Sequence, residues 1–461
     1  MRTVYRILTL ASFLAVAGCF VPGRARAQGP PGGGPDLISC SPAPCLLPPL
    51  QVSEGDALVN TPSVTTDPLD ATHLLMGAYD FNCEFGLGFF TSVNGGSSWT
   101  RTCATQYIGL YSPGANPMVA YDRGGTAYIA GIYYHQGYNR GLVGIQSSPD
   151  GINWSAPVTA LKQGNFPFNA ALAADVSASS PYVDRLYVSA VINTGQAYRL
   201  YVSHSTDAGK TWQKVPVAPE QIPPRSDSYT DLTIGRDGTV YLTWMYCNAV
   251  GSGFCGSKET AYMVLSKSKD GGITWSTPKL ISVVTLISTY LPNTEVVATN
   301  YPAIGVDNSN GPYAGNLYVV MYTWTGTYMR IGVIRSTDGG NTWLKPVPIA
   351  PPSDTHDQFF PWLSLSPTGL VGVSWLDRRN DPANVNYQAF AAISRDGGQR
   401  FQPNVQLTSA FSNPNVNGYV NNAWMGDYTG NTWAGPNFLA AWMDSSNGVD
   451  MQVMVGGIRV K

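Results

Sequence analysis

Short apolar runs separated by glycine-containing turns cover most of the chain, and they predict many short β-strands. Four such runs follow one another at residues 117–122, 127–132, 141–146 and 154–160. The first two are joined by Arg123-Gly124-Gly125, and comparable turns stand at 236–238 and 366–369. This order predicts a repeated unit of four strands, which we name A, B, C and D in chain order.

An eight-residue motif recurs between the predicted strands C and D. It is Ser-Thr-Asp-Gly-Gly-Asn-Thr-Trp at 336–343, and close copies begin at Ser205 and Ser268. Weaker copies begin at Ser92, Ser147 and Ser394, and in the Ser147 copy the aspartate stands one position later, at Asp150. Successive starts are 55, 58, 63, 68 and 58 residues apart. A spacing near 60 residues with this content is typical of a four-stranded propeller blade.

The residue types of the motif explain why it serves as a turn. Ser and Asp side chains hydrogen-bond nearby backbone groups, Gly adopts positive φ without steric cost, and Thr and Trp begin the next strand. We therefore expect a structural role for one residue of each copy, namely Asn94, Asp150, Asp207, Asp270, Asp338 and Asp396.

The motif resembles the Asp box, or BNR repeat, and over residues 48–461 the chain is similar to the sialidase superfamily of β-propellers. The resemblance implies an all-β propeller of four-stranded blades, with the boxes on the face opposite the ligand site. Enzymes and non-enzymes alike carry these boxes, so the resemblance is specific for fold rather than for chemistry. Trp-Leu-Asp-Arg-Arg at 375–379 and Gly-Asp-Tyr at 426–428 also resemble uncharacterised exported bacterial Asp-box proteins.

The number of blades follows from the end of the chain. Predicted strands at 423–428, 438–443 and 451–460 form a last unit that lacks both a box and a strand D. Residues 47–52 precede the first unit and would supply the missing strand, which closes the ring and removes its edges. Residues 48–461 also contain about seven spacings of roughly 60 residues. We predict seven blades, with the six blades of true sialidases as the alternative.

The composition fits an exported β-rich protein. The 461 residues carry a net charge of −2 and only 12% charged residues, against the usual ~25%. Nothing resembles the basic stripe that nucleic-acid binding needs, and we expect no nucleic-acid partner.

The first residues predict export by one of two routes. Arg2 and Arg6, an apolar stretch at 7–21 and Ala-Arg-Ala at 25–27 indicate a signal peptide over residues 1–27. Val-Ala-Gly-Cys at 16–19 instead resembles a lipoprotein signal over 1–18, with Cys19 as a lipid anchor and the chain's one membrane contact. Residues 28–47 are rich in Pro and Gly and predict a tether, and residues 48–461 predict a single propeller domain.

Six cysteines remain apart from Cys19, an even number that predicts disulfides in an exported chain. Six cysteines allow 15 pairings, and we favour the local ones. These are Cys40–Cys45, Cys83–Cys103 and Cys247–Cys255.

Function is expected on the face opposite the boxes, where the D–A and B–C loops lie. The loops of the last two units bring together charged side chains. As catalytic candidates we select Asp357, Asp377, Asp427 and Tyr428, and as ligand-binding candidates Arg378, Arg379, Asp444 and His356. Paired carboxylates divide acid and base roles in glycosidases, and arginines bind anionic sugars in bidentate fashion.

Two alternatives to a catalytic cluster stay open. The first is that the same charges pair with one another and fix the loops. The second is a structural Ca²⁺ held by Asp, Asn and carbonyl oxygens. We expect no other cofactor, and the sequence identifies no metal ligands.

The comparison with the sialidase superfamily argues against sialidase activity. That family binds the sugar carboxylate through three arginines, the first in a Phe/Tyr-Arg-Ile-Pro motif before the first box. Here no arginine lies between Arg26 and Arg101. The sequence therefore predicts a monomeric, exported glycan- or protein-binding propeller without sialidase activity, whose partner is a carbohydrate or a cell-surface protein. The alternative is a glycoside hydrolase of this superfamily acting on exposed glycans.

Overall fold

Seven four-stranded antiparallel sheets form the computed structural model, which describes residues 45–137, 140–248, 255, 260–287 and 290–460. Within these residues, the single helical element is a 3₁₀ turn at Val420–Asn422. The predicted signal peptide, the lipid site at Cys19 and nearly all of the predicted tether lie outside the described residues.

Each sheet is one blade, and six blades use four strands that are consecutive in the chain. Blade 1 contains β2 (Val59–Thr66), β3 (Leu74–Asp80), β4 (Leu87–Ser92) and β5 (Thr100–Cys103). Blade 2 contains β6 (Tyr111–Tyr121), β7 (Ala127–His135), β8 (Gly141–Ser148) and β9 (Val158–Leu161). Blade 3 contains β10 (Phe166–Ala174), β11 (Leu186–Asn193), β12 (Tyr198–Ser205) and β13 (Gln213–Pro216). Blade 4 contains β14 (Arg225–Ile234), β15 (Val240–Asn248), β16 (Thr260–Ser268) and β17 (Lys279–Thr285). Blade 5 contains β18 (Ala303–Val306), β19 (Leu317–Trp324), β20 (Met329–Ser336) and β21 (Val347–Pro348). Blade 6 contains β22 (Gln358–Leu365), β23 (Val371–Asp377), β24 (Gln388–Ser394) and β25 (Val405–Gln406). Blade 7 contains β26 (Gly430–Ala434), β27 (Asn437–Asp444), β28 (Gln452–Arg459) and β1 (Cys45–Gln51).

The blades form a ring in chain order. The first strand of each blade contacts the first strand of the next, and β26 of blade 7 contacts β2 of blade 1. These strands therefore line the central axis, and the fourth strands lie at the rim. The predicted all-β, seven-bladed propeller is confirmed, and the six-bladed alternative is wrong.

The ring is closed by the first described strand. β1 pairs antiparallel with β28, with Cys45 opposite Arg459 and Leu50 opposite Val455. The predicted closure is therefore confirmed, and the strand begins slightly earlier than expected. Closure completes blade 7, because β1 covers the outer edge of β28 that would otherwise be open.

One predicted strand is wrong. The innermost strand of blade 7 is β26 rather than residues 423–428. Those residues form a loop at the axis, because Gly426 adopts a φ of 127° and the backbone N–H of Val297 donates to the carbonyl oxygen of Ala423 at 2.9 Å. This loop becomes part of the candidate site.

Two of the predicted disulfides are present, Cys83–Cys103 in blade 1 and Cys247–Cys255 in blade 4. The third predicted pair includes Cys40, which lies outside the described residues. Disulfides indicate an oxidising, extracytoplasmic environment. Within the described part of the chain, no helix has the length and apolarity needed to span a membrane.

The six Asp-box copies connect the third and fourth strands of blades 1 to 6. In the copy at 336–343, Ser336 Oγ donates to Asp338 Oδ1 at 2.8 Å. Asp338 also accepts hydrogen bonds from the backbone N–H and the hydroxyl of Thr342, at 2.9 and 2.6 Å. Each aspartate of this kind bridges both ends of its own turn.

The second copy differs from the sequence alignment. Its serine is Ser148, which donates to Asp150 at 2.9 Å, rather than Ser147. The serine and the aspartate are therefore two residues apart, as in the other copies. The segment from the serine to Trp154 is one residue shorter than in those copies. Because Ser147 and Ser148 are adjacent, the sequence alone does not show which of them is the serine of this turn.

Candidate functional site

One residue from each blade lies at the central axis, immediately before or within the first strand. We call this set the axial ring, and it consists of Thr61, Asn116, Asn169, Tyr229, Tyr301, Phe360 and Tyr428. Five of them, all except Tyr301 and Tyr428, have a φ between 47° and 54° and lie at β-bulges. A bulge inserts an extra residue and re-aims its side chain.

Contacts between distant blades place these side chains on the axis. Asn169 Nδ2 of blade 3 donates to the Tyr301 hydroxyl of blade 5 at 2.6 Å. The ring of Tyr301 lies 5.1 Å from that of Tyr229 and 5.1 Å from that of Tyr428. The Tyr428 hydroxyl of blade 7 donates to the Pro117 carbonyl of blade 2 at 2.7 Å. Six of the seven members are buried, so the ring fills the channel at this level.

Asp427 lies above the ring, on the face opposite the Asp boxes. Its carboxylate accepts hydrogen bonds from Trp424 Nε1 at 2.9 Å and from Asn116 Nδ2 at 3.1 Å. Its backbone N–H donates to Thr61 Oγ1 at 3.0 Å. Blades 1, 2 and 7 therefore hold one half-buried carboxylate at the mouth of the channel.

Burial and two hydrogen bonds determine the electrostatic setting of Asp427. Burial raises the pKa of its carboxyl, although the hydrogen bonds from Trp424 and Asn116 lower it. Within the described residues, Asp427 takes part in no salt bridge. The mouth thus presents an acid group without a basic partner.

Four aromatic rings surround one side of this mouth, and we call them the aromatic wall. Trp424 meets Tyr79 and Tyr419 edge to face, with centroids 5.3 and 5.2 Å apart. Phe81 stacks on Tyr79 at 5.1 Å and meets Tyr419 at 6.2 Å. All four are partly exposed. An apolar wall with a few polar groups is the usual make-up of a small-ligand site.

Asp357 and Arg378 lie away from the axis, in the seam between blades 5 and 6. Arg378 Nη1 pairs with Asp357 Oδ2 at 3.1 Å, and both side chains are fully buried. Asp357 Oδ1 also accepts the backbone N–H of Met329, on strand β20, at 2.8 Å. The carboxylate thus satisfies a backbone donor of the neighbouring blade.

Part of the loop between blades 4 and 5 covers this pair. Residues 290–302 belong to the connection from β17 to β18, and the carbonyl of Pro292 accepts a hydrogen bond from Arg378 at 2.8 Å. Asn293 in the same loop donates to the carbonyl of Asn384 at 3.2 Å. The loop therefore lies over the top of blade 6, which leaves Arg378 without access to a ligand.

The remaining candidates form separate groups. Arg379 pairs with Asp377 at 2.5 Å and with Asp354 at 3.2 Å, and Trp375 Nε1 donates to Asp377 at 2.7 Å. Burial raises the pKa of Asp377, and Arg379 opposes that shift. His356 lies beside Asp354, with Nδ1 3.3 Å from the carboxylate.

Asp444 is buried in blade 7. It accepts Trp442 Nε1 at 3.3 Å and the backbone N–H of Ser446 at 2.9 Å. Of the eight candidates, the structure therefore brings Asp427 and Tyr428 to the axis, and it places the other six in the loops and seams of blades 6 and 7. Among the described residues, no group of three His, Cys, Asp or Glu side chains is arranged to hold a metal ion.

Sequence reasoning missed most of the axial residues, although a signal was present. Four units carry proline directly after the residue of the axial ring, at Pro62, Pro117, Pro302 and Pro361. Proline restricts the residue before it and lacks a donor, so it is expected at bulges and strand starts. A proline after the axial residue therefore identifies the first strand of these four blades. In the same way, the Asp box identifies the turn between the third and fourth strands.

No protein-family model and no curated protein matches the chain. Among solved structures, a polysaccharide lyase described as an ulvan lyase is 12% identical, with a TM-score of 0.51 and coverage of 90% of this chain and 95% of its own. The chain has the propeller fold of this lyase. A protein of unknown function from Dyadobacter fermentans matches with 15% identity, a TM-score of 0.47 and coverage of 78% and 97%. The leech intramolecular trans-sialidase matches with 13% identity, a TM-score of 0.43 and coverage of 69% and 64%. At these identities the similarity concerns the fold alone.

Proposed function

We propose that this protein is an exported carbohydrate-binding propeller whose ligand occupies the axial mouth. The observation that carries the proposal is the half-buried carboxylate of Asp427, which three blades hold beside the aromatic wall. Aromatic rings pack against the C–H faces of sugars, and a fixed carboxylate accepts hydrogen bonds from their hydroxyls. The ulvan lyase of the same fold, described in one structure as bound to a sulfated disaccharide repeat, supports carbohydrate as the ligand class.

Binding is favoured over glycoside hydrolysis because of the number of available carboxylates. Most glycosidases use two carboxyl groups that flank the scissile bond. At this mouth, Asp427 is the one carboxylate with hydrogen bonds to the axial ring within the described residues. Asp357 and Asp377 are engaged by Arg378 and Arg379. The proposal therefore gives these four residues structural roles.

The ligand portion next to Asp427 is uncharged in this proposal. An anionic sugar would meet a carboxylate that has no basic partner, and both groups would lose solvation when the ligand entered the mouth. A neutral sugar avoids this repulsion. The same argument disfavours sialic acid, in agreement with the missing first arginine motif.

Affinity measurements on the purified mature protein test the proposal. The protein is screened against immobilised neutral, uronate-containing and sialylated glycans, and hits are measured by calorimetry. We expect binding of a neutral glycan that Trp424→Ala and Asp427→Asn each weaken at least tenfold. Tyr262→Ala, an exposed aromatic on strand β16 of blade 4, and Asp70→Asn, an exposed acid on the opposite face, are the matched controls.

Two results would overturn the proposal. One is a glycan whose affinity is the same in the axial variants and in wild type, which would place the site elsewhere. The other is turnover of chromogenic glycosides that Asp427→Asn abolishes, which would make the mouth a catalytic site.

A further inference from the structure

The aromatic surface at the mouth continues outward over blades 1 to 3. The side chains of Tyr79 and Tyr134 are hydrogen-bonded to each other. Tyr134 stacks on Phe166, with centroids 5.4 Å apart and planes 29° apart, and Phe166 lies 5.1 Å from Phe168. Tyr134, Phe166 and Phe168 are partly exposed, as are the rings of the aromatic wall. We call the seven rings together the aromatic track.

The backbone positions these rings on the face opposite the Asp boxes. Tyr79 and Tyr134 stand at the ends of the second strands β3 and β7, and Phe166 begins the first strand β10. A Cβ atom on Gly114 would lie 2.2 Å from the ring of Tyr134. The glycine therefore allows Tyr134 to lie flat against the neighbouring strand, and a larger residue would displace the ring.

We propose that the aromatic track binds an extended oligosaccharide of several sugar units, with one end at Asp427 and the rest running over blades 1 and 2 toward Phe166. This inference rests on the proposed function and specifies its ligand as a chain rather than a single sugar. A row of rings offers one stacking surface per sugar unit, as rows of aromatic side chains do for the successive bases of single-stranded nucleic acids.

The chemistry of the track suits a sugar chain. Three of its seven rings are tyrosines and one is an indole, so the track combines apolar ring faces with polar groups at the ring edges. Asp427 and Asn116 add polar groups at one end. A protein partner that docked on the same rings would instead favour a broad apolar patch, whereas here all rings except Phe81 are less than about a third exposed.

A chain-length series tests the track separately from the axial site. Oligosaccharides of increasing length are prepared from whichever neutral polysaccharide the protein retains, and their affinities are measured for wild type, Phe166→Ala and Trp424→Ala. We expect wild-type affinity to rise with length. Phe166→Ala should weaken the longest chains about tenfold, the order expected for one lost stacking contact, and leave the shortest nearly unchanged. Trp424→Ala should weaken all lengths.

Controls keep a folding defect apart from a lost contact. Phe166→Leu retains apolar packing without the flat ring, and Phe411→Ala removes an exposed aromatic that is not one of the seven rings of the track. Melting curves should show both variants folded, and we expect Phe166→Leu to behave like Phe166→Ala in binding. An effect of Phe166→Ala that is equal at all lengths, or absent at all lengths, overturns the track while Trp424→Ala still reports on the axial site. If neither variant affects binding, the proposed function fails as well.

Discussion

Arg335 of blade 5 donates a hydrogen bond to the carbonyl oxygen of Gly397, in the Asp box of blade 6, at 3.0 Å. Gly397 directly follows the box aspartate, and the same relationship recurs around the ring. The other donor–acceptor pairs are Thr91–Gly151 at 2.6 Å, Arg185–Gly271 at 2.5 Å and Lys267–Gly339 at 2.8 Å. In each case the donor belongs to the preceding blade. The box is therefore an inter-blade clip as well as a turn, since its aspartate holds the carbonyl in place for the neighbour.

Removal of one clip should weaken the contact between two blades. We expect Arg335→Met to lower the free energy of unfolding by about 1.5–3 kcal/mol, the range for a hydrogen bond with a charged donor. Chemical denaturation measures the change. Lys345→Met, at an exposed position beyond the preceding box, is the matched control and should change stability by less than about 0.5 kcal/mol. Equal losses in the two variants would show that the clip contributes nothing of its own.

The buried pair of Asp357 and Arg378 should be essential for stability. Asp357→Ala leaves the fully buried guanidinium without its acid partner and the Met329 N–H without its acceptor. Loss of one member of a buried pair costs about 3–5 kcal/mol. We expect a loss of this order by calorimetry, whereas Asp56→Ala at an exposed site should be nearly neutral.

A double-mutant cycle tests whether this loss arises from the pair. Asp357→Ala combined with Arg378→Met removes the uncompensated charge, so the double variant should be more stable than the sum of the two single losses predicts. Strict additivity would contradict the role that the structure gives to the pair.

Closure of the ring depends on the inward side of β1. Leu47 packs on the apolar cluster between blades 7 and 1, whereas its neighbour Leu46 is 46% exposed. We expect Leu47→Asp to lower the free energy of unfolding by about 2 kcal/mol, and Leu46→Asp to change it by less than about 0.5 kcal/mol. Size-exclusion chromatography should also show association of the Leu47 variant, because the edge of β28 becomes available. Indistinguishable melting curves for the two variants would argue against closure by β1.

The fold was predictable because the same sequence motif recurs in six of the seven blades. The Asp-box copies at about 60-residue spacing define the blades, and the incomplete last unit requires a strand such as β1. The site was less predictable, since a charge pattern does not show what covers it. Arg378 is buried because Pro292, from a loop 86 residues earlier in the chain, lies over it. Asp427 was recognised from its local sequence, but its partners Thr61 and Asn116 come from blades 1 and 2 through bulges that only the assembled ring brings together.

Asp227 should make the protein less stable at higher pH. Its Oδ1 accepts the indole N–H of Trp244 at 2.9 Å, while its buried Oδ2 has no partner among the described residues. Burial raises the pKa of this carboxyl to about 7, although the hydrogen bond from Trp244 lowers it. A carboxyl whose pKa is raised by folding favours the native state while protonated. Its contribution is therefore lost as the pH rises from the ordinary carboxyl value toward about 7.

The variant Asp227→Asn tests this linkage, because the amide is neutral at every pH and keeps the acceptor for Trp244. We expect it to be more stable than wild type at about pH 8 and to lose that advantage by about pH 5, as measured by denaturant titrations across the range. Asp207→Asn is the opposite control. The hydroxyl of Thr211 and its backbone N–H lower the pKa of Asp207 to about 2, so this variant should be less stable than wild type at neutral pH, with a difference that shrinks as the pH falls toward about 2. If Asp227→Asn follows wild type in parallel at every pH, then Asp227 is ionised in the native state and the unpartnered oxygen has found a donor, such as an ordered water.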